Sequence, residues 1–322
     1  MPSIQKVHID KTLSNLSLGF KNEQFIADQI FLTVGVDKQS DRYNVYGKEH
    51  FRVTDDRRAP GTESSEINWT LSNDTFYCED HAIKTIITDA ELANADDEFN
   101  LKADATELVT DEILLNKEVS AAATLLDSTN YDSTLVYSMG GGGTNPAKWS
   151  DYENSNPVMD IAIAKERMHK KSGIRANTLV ISETVKNTLK FHPKILGLFT
   201  GITPVAIATM DHIKMALGVD NIIVGSAMKS GATNPGQDDE LSYIWGNSAV
   251  LAYIPGKPGK KIQSIGYTFM WNCDGMGAVQ VRQWYEIGRR STIIEAERWY
   301  SHVMISKVAG FLFTDAVTPL GA

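Results

Sequence analysis

Proton transfer and metal binding both need titratable side chains brought together, and the histidines of this chain are the first place to look. Seven are present, His8, His50, His81, His169, His192, His212 and His302, with no His-Glu-x-x-His pair and no two spaced two apart. Glu79-Asp80-His81 is the nearest approach to a ligand cluster. Structural zinc takes four nitrogen or sulfur ligands, so this triplet reads as polar residues at a strand end. Cys78 and Cys273 lie far apart without Cys-x-x-Cys spacing and read as reduced, buried thiols rather than a disulfide or metal pair. No Gly-x-Ser-x-Gly elbow presents a serine nucleophile. Gly140-Gly141-Gly142-Gly143 lacks the Lys-Ser/Thr of a phosphate loop and no short apolar strand leads into it, which makes it a mobile linker. Trp69, Trp149, Trp245, Trp271, Trp284 and Trp299 have the faces to stack bases, but few basic residues interleave with them. Large aromatics are more often core or interface. The pattern points to no catalytic residue, no cofactor and no metal. An enzyme built on the α/β stretch described below would instead need a pocket with convergent polar groups and a perturbed titratable residue.

The bulk numbers agree with a structural role. Of 322 residues, 42% are hydrophobic and 22% charged, an ordinary globular composition, long enough for two compact regions. No apolar run approaches the roughly 18 residues of a membrane helix. The N-terminus lacks a secretory layout, so a cytosol-like compartment is expected. A net charge of −9 disfavours coating nucleic acid through its phosphates. The distribution is uneven. Asp89 to Glu118 holds ten acids against Lys102 and Lys117, while Lys257 to Lys307 holds eight bases against four acids. Two solvated faces of one monomer, or complementary patches that set the register of repeated contacts, both fit.

With no chemistry to position, the elements themselves carry the information. Residues 36–76 read as an extended hairpin with little core of its own. Tyr43 and Val45, then Ile67, Trp69 and Leu71, fall on alternate positions, and Pro60-Gly61 marks the turn region. An isolated ribbon is marginal in water, so it is expected to rest on a neighbouring copy. Residues 1–35, with Phe20, Phe25, Ile26, Ile30 and Phe31, suit an arm lying across another surface. Phe76 to Ile87 reads as a strand. A long helix follows at about 103–127, its predicted buried stripe Leu101, Ala105, Leu108, Leu115, Val119, Ala122 and Leu126, with Glu107, Asp111 and Glu118 outside it. At 1.5 Å per residue such a helix spans roughly 37 Å and acts as a strut.

A second helix begins at Pro157 and Asp160 and stops at Gly173. Residues 173–261 alternate short elements: strands at Thr178–Ile181, Asn221–Val224 and Ala249–Ile254, and helices from Glu183 to Phe191 and from Thr203-Pro204 to Gly218. After Pro255-Gly256 the chain turns to strand. Val279, Val281, Tyr285 and Ile287 alternate, Gly288–Ser291 turns the chain, and Ile293 to Ile305 is an unusually long strand that wants cover on both faces.

Several segments carry a resemblance in their order and spacing. Phe25-Ile-Ala-Asp-Gln-Ile-Phe31 with Val36-Asp-Lys-Gln-Ser40, Arg58-Ala-Pro-Gly-Thr-Glu-Ser64, and Glu91-Leu-Ala-Asn-Ala-Asp96 with Ala105-Thr-Glu-Leu108 and Leu114 to Glu118 resemble the tailed-bacteriophage major capsid protein family. So do Asn177-Thr-Leu-Val-Ile181, Leu251-Ala-Tyr-Ile-Pro255, Gly266-Tyr-Thr-Phe269 and Gly310-Phe-Leu-Phe-Thr-Asp-Ala-Val317. The resemblance, from about Phe25 to Val317, implies an α+β chain with the Hong Kong phage-type major capsid fold. Its expected parts are an N-terminal arm (1–35), an extended β-hairpin loop (36–76) and a peripheral domain with a long spine helix (77–172). An axial α/β domain (173–261) and returning peripheral strands (262–322) complete it.

The function so implied is an icosahedral shell of hexamers and pentamers enclosing double-stranded DNA without sequence-specific binding. The implied setting is the virion, assembled in host bacterial cytoplasm, with no membrane. Because the chain starts almost at the arm, a separate scaffolding protein is expected, with a portal and decoration proteins as further partners. Covalent cross-linking has no motif here. An encapsulin-like compartment is the alternative shell. Arg57, Arg58 and Glu63 at the ribbon tip, Trp69 on its return, and Phe25 and Phe31 in the arm are the candidate inter-subunit contacts.

Overall fold

The computed structural model describes residues 25–46, 51–58, 60–68, 70–94, 100–142, 145–199, 207–231, 241–259, 262–272 and 279–319. In chain order the elements are α1 (Ala27–Ile30), β1 (Leu32–Val36), β2 (Ser40–Tyr46), β3 (Leu71–Tyr77), β4 (Glu79–Thr88), α2 (Asp89–Asn94) and α3 (Leu101–Leu126). Then come β5 (Val136–Ser138), α4 (Pro157–Ser172), β6 (Thr178–Ser182), α5 (Glu183–Lys190), α6 (Pro193–Leu196), α7 (Met210–Leu217) and β7 (Asn221–Gly225). The chain closes with β8 (Met228–Ser230), β9 (Leu241–Tyr243), β10 (Ala249–Ala252), β11 (Gly266–Trp271), β12 (Gln280–Glu286), β13 (Ser291–Met304) and β14 (Gly310–Thr314).

Two five-stranded sheets hold the core. In the first, β13 is central: β4 pairs with it along one side, and β12 and β11 share the other, with β1 parallel to β11 at the edge. Fourteen residues of β13 are long enough to bond three antiparallel partners at once. The second sheet runs β5-β14-β10-β6-β7 and is apolar on both faces. Leu179, Ile181, Leu251, Phe311 and Phe313 pack under α4, α5 and α7, and Val180, Val250 and Leu312 line the reverse. This sheet therefore draws β5 and β14 from outside the stretch 173–261, and β14 pairs with β10 in its interior.

Helix ends follow local chemistry. Asn156 caps α4 through Met159 N (3.3 Å), Pro157 opens it, and Gly173 closes it in the left-handed region at φ 73°. Thr209 forms a capping box with His212, which starts α7 at Met210. The helix expected from Thr203-Pro204 is thus shorter, Ile207 is exposed, and positions 203–204 lie outside the described residues. Gly140 and Gly142 have positive φ, and Gly140 N donates to Pro146 O at 2.8 Å. That part of the expected linker is a folded turn. Cys78 interrupts the expected strand of 76–87 between β3 and β4 and is buried, its thiol donating to Phe269 O (3.5 Å). Cys273 lies outside the described residues.

The long helix departs from its expected stripe. Ala105, Val109 and Ile113 pack on Ile87, Val281, Ile294 and Ala296 of the first sheet. Ala121, Ala122 and Leu125 pack instead with Ile26, Ile30, Phe31 and the back of the second sheet. Val109 and Leu125 lie about 160° apart round a helix of 3.6 residues per turn. One continuous helix therefore buries opposite faces in its two halves. A single stripe cannot describe it: Leu108 is 63% exposed, whereas Glu118 is wholly buried.

Candidate assembly junction and projecting ribbon

The helix changes its buried face at Lys117 and Glu118, and there three parts of the chain meet. The Glu118 carboxylate accepts hydrogen bonds from Ile26 N (3.0 and 3.1 Å), Ala27 N (2.8 Å) and Trp245 Nε1 (2.7 Å). One side chain thus joins the segment before α1, the strut α3 and the loop that leads into the second sheet. Small residues at Ala121 and Ala122 let α1 approach this closely. Gly225 does the same for Trp245, since a methyl there would overlap the indole. Burial raises the Glu118 pKa, and its amide and indole donors pull it back.

Lys117, 2% exposed, reaches Asp28 Oδ1 at 2.5 Å. Burial and then the nearby Arg298 charge push its pKa down to about 8, opposed by Asp28. Burial favours protonation of Asp28, but Lys117 and Arg298 outweigh it and leave its pKa low. On β13, His302 completes the junction. Thr268 Oγ1 donates to Phe31 O (3.2 Å) and lies 2.9 Å from His302 Nδ1. The ring also lies against the Lys117 backbone, which favours its charged form but is outweighed by burial.

A pH dependence follows from this arrangement. Burial, then the Lys117 charge, pushes the His302 pKa down to about 4, and burial does the same to His192. A histidine whose folded pKa lies below the unfolded value near 6.5 binds its proton more readily in the unfolded chain. Stability is therefore complete above about pH 6.5 and is lost as pH falls toward 4. Between pH 7 and 5 each histidine accounts for about 2 kcal/mol. Glu118, with its raised pKa, works in the opposite direction. Urea melts of the wild type and His302→Asn at the two pH values isolate the term: the variant is expected to lose about 2 kcal/mol less on acidification.

The other chemistry-bearing groups are occupied structurally. His192 Nδ1 accepts from Lys194 N (3.2 Å), which puts the proton on Nε2, 2.9 Å from Ser155 Oγ. Ser155 in turn donates to Asp151 O (2.5 Å). The imidazole therefore donates to the serine, the reverse of a general base, and the pair ties the loop before α4 to the start of α6. Glu79 and His81 share one face of β4 while Asp80 points to the other, so the triplet cannot converge on an ion. His81 stacks on Tyr300 with centroids 4.1 Å apart.

The ribbon is shorter than its pattern suggested. β2 and β3 pair from Ser40↔Tyr77 to Tyr46↔Leu71, and Phe76 stacks on Phe269 at 4.2 Å to root them on the first sheet. Ile67 lies outside that ladder, and with no second layer over it among the described residues nothing there offsets the cost of ordering more strand. Phe51, Val53 and Ile67 are 67%, 101% and 74% exposed. The Phe51 ring lies over Gly173, where any side chain would overlap it. At the tip, Arg57, Arg58 and Glu63 are exposed. Arg57 N donates to Asp55 Oδ1 (3.1 Å) and Arg58 Nε to Thr62 O (2.5 Å).

Trp69 lies outside the described residues. The two arm candidates separate: Phe25 is half-buried, while Phe31 is wholly buried in its own subunit and is corrected from contact to core. Of the expected arm (1–35), residues 25–35 pack into this chain's own core and sheet, and residues 1–24 lie outside the described residues. Sequence reading missed Glu118 and Lys117 because charged helix positions ordinarily face water. The available signal was the Ala121-Ala122-Ala123 run beside them.

No family model matches the chain. Over 271 residues it is 29% identical to the major capsid protein of Burkholderia phage BcepMu, covering 81% of this chain and 82% of that protein. Over 247 residues it is 26% identical to the major capsid protein of Pseudomonas phage JBD67, covering 76% and 77%. Its fold matches a crystal structure of a phage-related protein from Bordetella bronchiseptica RB50, with TM-score 0.74, 24% identity, and 98% and 99% of the two chains covered. It also matches the capsid structure of the cyanophage P-SCSP1u, with TM-score 0.57, 10% identity, and 91% and 88% covered.

Proposed function

We infer that this chain belongs to the tailed-phage major capsid proteins and is the repeated subunit of a closed protein shell. Its likeness to two phage major capsid proteins over most of their length supports the family, and the Hong Kong phage-type fold agrees with it. One structural observation supports the functional reading: the described residues of 51–68 join no strand ladder, and Phe51, Val53 and Ile67 among them are exposed. Several large apolar side chains exposed on one unpaired segment favour an interaction site, and a second copy of the same chain is the partner always at hand. In a shell every ribbon finds a neighbour, so every subunit both gives and receives cover.

The finer reading extends the same logic. Subunits form hexamers and pentamers of an icosahedral particle that encloses double-stranded DNA, held without base recognition, as the net charge of −9 favours. Arg57, Arg58, Glu63 and Trp69 meet the next subunit along the ribbon, and Phe25 does so where the arm emerges. Residues 77–172 and 262–322 make the peripheral domain and 173–261 the axial one. Assembly takes place in host cytoplasm with a separate scaffolding protein, a portal and decoration proteins, and the shell becomes the virion capsid. Sedimentation of the purified full-length chain tests the reading: particles of megadalton size are expected, and a species that stays monomeric at every concentration overturns it. Nuclease-protected double-stranded DNA inside particles from phage-producing cells separates a virus from a compartment, which would hold protein cargo.

A further inference from the structure

One layer of helices carries a charge opposite to that of the whole chain. Over residues 157–217, which hold α4 to α7 and the strand β6, there are nine lysines and arginines against four acids, in a chain of net charge −9. Three of those acids are already taken: Asp160 Oδ2 accepts from Trp149 Nε1 (3.0 Å), Glu166 pairs with Lys170 (2.5 Å) and Glu183 with Lys186 (2.7 Å). Lys190, Lys194 and Lys214 form no ion pair among the described residues. They stand on helices that pack together, in the last turn of α5, in α6 and in α7, and α7 packs against the other two. Ala208 N donates to Lys190 O (3.0 Å), and the Phe199 and His212 rings lie 4.7 Å apart, which holds the end of α5, α6 and the start of α7 in one place. Val185, Leu189, Ile195, Ile213 and Leu217 turn these helices' apolar sides onto the second sheet. The lysines are left on the side away from it, Lys194 exposed and the other two half-buried. Residues 200–206, between α6 and α7, carry no charge to neutralise them. The basic run of 257–307 differs, since there Arg282 pairs with Glu297 and Arg289 with Glu286.

We propose that this α5–α7 face meets the phosphates of enclosed duplex DNA, which rests on the reading above that the chain builds a DNA-filled shell. A duplex carries one negative charge per about 1.7 Å of its axis. An ammonium on a flexible stem meets it as a point charge, without the fixed geometry of a guanidinium fork. Contacts of that kind hold a duplex in place and read no bases. The repulsion that follows from the net charge then falls on the rest of the subunit, so DNA is touched at one face and held off elsewhere.

Lysine acetylation mapped by mass spectrometry tests it on the full-length chain in three states: unassembled, in shells without DNA, and in DNA-filled particles from phage-producing cells. Lys190, Lys194 and Lys214 are expected to react in the first two and to be protected several-fold in the third. Equal reactivity in filled and empty shells overturns the proposal. So does protection in both, which would seat a second copy over these helices, where Leu198 and Met215 are also exposed. Binding of a labelled random-sequence duplex to the unassembled chain tests the same face without shells. Three phosphate contacts predict roughly a fortyfold loss of affinity between about 50 and 200 mM salt. The triple variant Lys190→Gln, Lys194→Gln, Lys214→Gln is expected to lose that dependence. A variant that binds duplex as the wild type does overturns the proposal even where shells form. Lysine-dependent duplex binding by a chain that never forms shells would support this face and count against the shell reading alone.

Discussion

Glu118→Ala is expected to cost about 3–5 kcal/mol of subunit stability, the largest loss of any single substitution outside the apolar core. The variant leaves three buried donors, Ile26 N, Ala27 N and Trp245 Nε1, without their acceptor. Each orphaned donor costs roughly 1–3 kcal/mol, less whatever relaxation recovers. The damage also spreads, because the carboxylate joins elements that are far apart in sequence. Loss of Trp245 fixation loosens α3 from the second sheet, and loss of the amides frees α1. Glu118→Gln keeps one acceptor oxygen but turns its amide N–H₂ toward backbone donors, so an intermediate loss is expected. Urea denaturation followed by tryptophan fluorescence measures both. A loss below about 1 kcal/mol for the alanine variant would mean that the junction does not hold the parts together.

Deletion of residues 55–64 is expected to do the opposite: to leave the subunit folded and abolish closed shells. The described residues of that stretch are exposed and lie outside the β2–β3 ladder, so no core is removed. Shortening the connection between Tyr46 and Leu71 changes loop-closure entropy by less than about 1 kcal/mol. Stability should therefore match the wild type within that margin, whereas sedimentation should find only small species. Charged tip contacts contribute only about 0–1 kcal/mol each when exposed, so Arg57→Ala or Arg58→Ala alone should slow assembly without preventing it. Normal shells from the deletion would remove the ribbon from any role in assembly.

Much of this fold was legible because elements with one buried face announce themselves. The strand Thr178–Ser182, the helix from Pro157 closed by Gly173, and the long β13 sit within a residue or two of their sequence patterns. The pattern failed where burial is not one-sided. Leu108 fits a helical stripe and is exposed, and Glu118 breaks that stripe and is buried, because α3 serves two sheets with opposite faces. Ile67 alternates like a strand residue, yet periodicity cannot report that none of the described residues covers it. Phe31 looked like an arm aromatic and is core, since the parallel pairing of β1 with β11 joins positions more than two hundred residues apart. The Lys117–Asp28 and Glu118–Trp245 contacts are equally non-local, and no spacing rule reaches them.

Electron microscopy of the purified wild-type chain tests the shell directly. The expected images show closed particles of uniform size, tiled by rings of six with rings of five at the vertices. A compact, protease-resistant single subunit that persists at high concentration, with the 51–68 projection folded onto itself, would contradict it.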